Sequence, residues 1–148
     1  MRTHSTNFLQ SVVLISGLIY LFLGILFFAS PFYFAKMLGV QTSDEWLSQI
    51  KIDEFLILIY AMARGLSALL IVVGLSMVMP VFDPLKYRLM IYLNGVVFPL
   101  ISASFLTYFG FTYEYVTPKI IGGALLVIFV IHMIALLLTK DNARKGIE

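Results

Sequence analysis

Four long apolar runs divide the chain, at about residues 8–29, 55–79, 87–109 and 118–139. Each reaches the roughly 20 residues that a helix needs to cross the hydrocarbon layer of a bilayer. Polar residues gather between the runs and do not alternate within them, so the dyad pattern of a membrane barrel is missing. Lipid offers no partner to an open backbone, which leaves helices as the only form for these runs. The pattern predicts an all-α integral membrane protein, a four-transmembrane-helix bundle forming one domain over residues 1–148. The first run continues without a charge from Phe8 to Ala35. That is about twice the apolar core of a signal peptide, and Ala29-Ser30-Pro31 is a poor cleavage site, so an uncleaved first span is expected.

Between the first two runs lies a longer connection, from Ser30 to Asp53. Thr42-Ser43-Asp44-Glu45 has the form of a capping box, and Trp46, Leu47 and Ile50 follow at helical spacing. A short amphipathic helix at the interface is predicted there. The later connection, YFGFTYEYVTP, is rich in aromatic residues, as headgroup-level belts are. Asp83-Pro84 and Thr117-Pro118 each place a capping side chain before a proline suited to a first helical turn. Pro31 ends the first helix or opens an interfacial one, and Pro99, inside the third run, predicts a kink.

Composition agrees with this pattern: of 148 residues 61% are hydrophobic and 12% charged, against roughly half and a quarter in soluble domains. The chain has no cysteine, which excludes disulfides, thiolate metal sites and thiol nucleophiles. A net charge of +2 gives no reason to expect a nucleic-acid partner. The distribution of charge says more. Arg2, Lys86, Arg88, Lys140, Arg144 and Lys145 fall on one side of the four spans, and Lys36, Lys51 and Lys119 on the other. The positive-inside rule then places both termini in the cytoplasm.

Few polar residues remain inside the spans, and they are the candidates for function. Arg64 lies about a third of the way along the second span, where a charge costs at least ~2.5 kcal/mol. Helical spacing puts Asp53, Tyr60, Arg64, Ser67 and Gly74 on nearly one face. Ser102 and Ser104 of the third span share the level of Arg64. Its planar donors suit an anionic or carbonyl-bearing ligand, and a structural pin between helices is the equal alternative. The adjacent Ala61, Gly65 and Ala68 stripe offers a close approach to a neighbouring helix. Asn94 and His132 share a second level, each about 10 Å from the cytoplasmic boundary by the helical rise. Contact between them is expected, as a bond joining two helices or as part of a quinone site. The candidate ligand-binding residues are thus Arg64, Tyr60, Ser67, Ser102, Asn94 and His132. No catalytic set, metal cluster, cofactor or phosphate loop is indicated.

Pro31, Leu38-Gly39, Arg64-Gly65, Ser67-Ala68 and Gly74 together give a pattern, ASPFYFAKMLGV followed by AMARGLSALLIVVGL. It resembles the DoxX-like superfamily of small four-helix bacterial membrane proteins, in an uncharacterised branch. The resemblance covers the first half of the chain; the second half agrees by span count alone. It implies a bacterial cytoplasmic (inner) membrane location and, in some members, a subunit linked to quinone or redox partners. The expected function is noncatalytic: binding of a lipid-like or quinone-like ligand, or of a membrane protein partner or a second copy. The rivals are an oligomeric small-solute carrier or channel and a membrane subunit of a quinone- or lipid-linked enzyme.

Overall fold

The computed structural model describes residues 4–38 and 54–145. The capping box at 42–45, Trp46 and Asp53 lie outside them. Helix α1 spans His4–Ala29 and the short α2 Pro31–Met37. Helix α3 covers Glu54–Val78 and runs into a single 3-10 turn at Met79–Val81. The third span is composite: α4 (Arg88–Tyr92), a π turn (Leu93–Val97) and α5 (Phe98–Thr112). Helix α6 is Val116–Lys145. Four of these segments are long and apolar enough to cross a membrane, and the described residues contain no strand. The protein is an all-helical, four-span membrane bundle.

Local chemistry sets the breaks. Pro31 separates α1 from α2: Ser30 is extended (φ −136°, ψ 93°), and the proline takes the first helical position, where no amide bond is lost. This short helix lies in the long first connection, upstream of the predicted amphipathic one. Before α4, the Asp83 carboxylate accepts the Lys86 backbone N–H at 3.1 Å and closes a turn. Thr117-Pro118 departs from expectation. The helix already begins at Val116, so Thr117 sits inside the first turn and is no cap. Pro99 interrupts the regular geometry of the third span. It has no N–H for the Gly95 carbonyl, and the turn immediately before it opens to π geometry.

Two antiparallel hairpins make the bundle. Helix α1 packs along α3, and α5 along α6; the hairpins meet where α1 crosses α6. The seam between α3 and the third span is thin and is made near the α4 end. Within the first hairpin, backbones touch. A Cβ on Gly74 would lie 2.6 Å from the Leu21 nitrogen, and one on Gly24 2.7 Å from the Ile71 nitrogen. The buried residues of α3 are accordingly Ala63, Ser67, Gly74 and Met77. Of the Ala61, Gly65 and Ala68 stripe, Ala68 is half-buried and the other two do not pack on another helix. Both residues are exposed, and a Cβ on Gly65 would meet nothing within 4 Å. In the second hairpin Gly122 admits Thr107, and Gly95 admits the ring of His132. The core of Leu9, Val13, Met77, Ile91, Val96, Ala135 and Leu136 lies towards the amino-terminal face.

Candidate functional site

The intramembrane polar residues settle into three separate places. The first surrounds Arg64. Its Nη2 donates to the Tyr60 hydroxyl at 2.5 Å, one turn back along α3. That draws the guanidinium towards the face opposite the amino terminus. Its central carbon lies 5.0 Å from the Tyr60 ring centroid and 5.2 Å from that of Phe28, near the end of α1. Each ring offers a negative π face to the cation, worth about 0.5–2 kcal/mol. The Nε atom is buried without a partner, and no carboxylate pairs with this charge among the residues whose side chains are described, which exclude Glu54. Ser67 does not join it. Its hydroxyl donates to the Ala63 carbonyl at 2.7 Å, fully buried in the α1–α3 seam. Ser102 is half-buried on α5, and Ser104 is exposed and donates to its own helix at Leu100.

The second place is the cross-link between the second and third spans. Asn94 turns to Ser76 and not to His132: its Nδ2 donates to the Ser76 Oγ at 2.6 Å, and Ser76 donates to the Val73 carbonyl at 2.8 Å. The expected Asn94–His132 bond is therefore replaced by an Asn94–Ser76 bond. Equal depth put the two residues at one level, but rotation about the third span aims them apart. Depth alone would equally have nominated Ser76, which stands four residues before Pro80.

The third place holds His132, which is completely buried. Its ring lies against Gly95, where a Cβ would come within 2.3 Å of Cδ2, so only glycine admits it. Its Nδ1 is 2.9 Å from the Ile128 carbonyl. A carbonyl only accepts, so Nδ1 carries the hydrogen, and Nε2 of the neutral ring is an acceptor. That Nε2 is buried with no partner among the described residues. Beside it a groove of about 360 Å³ runs between α1 and α6, lined by Val12, Ile15, Ser16, Ile19, Ile131 and His132 among others. Ser16 is the residue that the sequence reading passed over. It lies on the buried face of α1 with Leu9, Val13 and Tyr20. A serine well inside the span, beyond Gln10 and Ser11 near its start, was the available signal. The Tyr20 hydroxyl, one turn further along α1, is also buried without a partner, and its ring packs edge-on against Phe98 at 5.6 Å.

No group of three or more metal-ligating side chains occurs among the described residues. Comparison with models of known protein families, with curated proteins and with solved structures finds no match.

Proposed function

We propose that this small multi-pass membrane protein is a noncatalytic binder of a lipid-like or quinol-like molecule, held in the groove between α1 and α6. One observation carries the reading: the acceptor nitrogen of His132 has no donor among the described residues, and its residue forms part of the wall of an otherwise apolar groove. Leaving a buried polar atom unpaired costs about 1–3 kcal/mol, which a ligand hydroxyl would recover once a small turn of the ring brings the nitrogen from the Gly95 side to the groove. The volume falls in the usual range of small-molecule sites. Apolar walls suit a chain or isoprenoid tail, and the buried Ser16 is the other polar residue of the lining. The separation of Arg64, Asn94 and His132 into three places gives no support to a continuous polar path for a small solute. Resemblance of the first half to the DoxX-like superfamily supports the same reading. The basic-residue imbalance supports both termini lying inside, and the resemblance supports a bacterial cytoplasmic membrane.

Native mass spectrometry of the gently extracted protein tests the groove. The parent is expected to carry a lipid-like adduct. Ile15→Trp, which fills the groove, should remove it. His132→Phe, which keeps the ring and loses the acceptor, should weaken retention roughly five- to tenfold, the worth of one hydrogen bond. An adduct equally retained by both variants would sink the assignment.

A further inference from the structure

A second groove, of about 420 Å³, opens on the amino-terminal face between α4 and α6. Arg88 stands at its mouth, and Leu89, Tyr92, Met133, Leu136 and Leu137 form its walls. Arg88 is the first residue of α4, at the membrane boundary, and it is half-buried. Its guanidinium has one protein partner, the Leu136 carbonyl, at a long 3.4 Å. No carboxylate pairs with it among the residues whose side chains are described, which exclude 140–145. Asp83, on the same face, spends an oxygen on the Lys86 backbone N–H and faces water. The ammonium of the nearby Lys86 lies 5.4 Å over the Tyr87 ring. Arg88 therefore stands at the mouth of a trough of apolar side chains, with a second basic residue, Lys86, two positions before it in the chain.

We infer that this groove holds an anionic phospholipid, with the headgroup phosphate on Arg88 and an acyl chain along Tyr92, Met133 and Leu137. The guanidinium has planar, forked donors that match a phosphate, and among the described side chains and backbone it makes just the weak bond to Leu136. Basic pockets between spans at the cytoplasmic surface are suited to such headgroups. The walls decide between a lipid and a free phosphate. Met133 lies one helical turn deeper than Leu136 and Leu137, so the groove continues from the charged mouth into the hydrocarbon layer. A free phosphate would leave that trough empty, whereas a phospholipid fills both parts. This site is independent of the His132 groove, which opens on the other side of α6.

The protein in detergent is titrated with dioleoyl phosphatidylglycerol and, separately, with dioleoyl phosphatidylcholine, and bound lipids are counted by native mass spectrometry. The parent should prefer the anionic lipid about tenfold, and Arg88→Gln should reduce that preference about fivefold, the contribution of one basic residue near a charged surface. Lys86→Gln should have the smaller effect. Leu137→Trp, which fills the trough with Arg88 intact, should lower binding of both lipids. Equal binding of the two lipids by the parent overturns the inference, as does a preference that survives Arg88→Gln. If circular dichroism shows that Arg88→Gln has lost its helices, Leu137→Trp decides, and unchanged lipid counts in that variant overturn the inference. Inorganic phosphate competing as well as the lipid would also overturn it.

Discussion

Two glycines of α3, nine residues apart, are predicted to respond oppositely to one added methyl group. At Gly74 the new Cβ would stand 2.6 Å from the Leu21 nitrogen, 2.8 Å from the Gly17 oxygen and 2.9 Å from the Leu21 Cα. All three are backbone atoms, so no rotamer change relieves the clash. Helix α1 must retreat by roughly 1 Å, and a gap of that size forfeits a quarter to a half of the dispersion energy along the seam. Overpacking of this kind costs about 1–3 kcal/mol, partly offset by the ~1 kcal/mol that alanine gains over glycine in a helix. At Gly65 only the gain applies, because the added atom meets nothing within 4 Å. Gly74→Ala and Gly65→Ala should therefore differ by roughly 2 kcal/mol, with Gly65→Ala at or slightly above the parent. Reversible unfolding in mixed micelles, followed by far-ultraviolet circular dichroism, measures both. The packing described for α1 and α3 is wrong if Gly65→Ala loses as much stability as Gly74→Ala, or if Gly74→Ala matches the parent.

Two further outcomes are expected. Arg64→Met should change stability by no more than about 1 kcal/mol, since lost ring contacts are offset by removal of a charge from the apolar layer. Arg64→Lys keeps the charge but loses the planar fork, and both variants should retain the adduct of the His132 groove. A loss above about 3 kcal/mol on Arg64→Met would instead identify a buried pin. Single cysteines at His4 and Gly146, in a chain that has none of its own, should both resist membrane-impermeant thiol reagents applied from outside. Labelling of either overturns the cytoplasmic placement of the termini.

The spans were legible in the sequence to within a few residues, for a physical reason. A long apolar run in lipid has one backbone solution, so length and hydrophobicity suffice to find it. The rotation of each helix was not legible. In water an amphipathic stripe marks the buried face, but here the lipid-facing side is as apolar as the core. Ala61 and Gly65 looked as suitable for packing as Ala63, Ser67 and Gly74, and only the last three are buried. The same blindness paired Asn94 with His132, when its partner is Ser76. Of the candidate residues, Arg64 and Tyr60 could be brought together from sequence because they are one turn apart on one helix. Ser16 joins His132 only through the crossing of α1 and α6, which no local spacing encodes. Arg88 read simply as a topology signal, and the groove beneath it depends on how α4 lies against α6.

The π turn at Leu93–Val97 gives the third span an unusual relation to its own length. In an ordinary span one residue more or fewer turns everything beyond it by about 100°. Here the wide turn takes up one extra residue within about the same rotation, and deleting one there would restore regular α geometry with the rest of the helix facing as before. Ala103, Leu106 and Gly110, all buried, would stay in the α6 seam. A deletion just beyond the turn, between Phe98 and Ala103, would instead swing them out towards lipid. A chain drifting under insertion and deletion can thus lose a residue between Leu93 and Val97 without re-facing the helix, and almost nowhere else in the span.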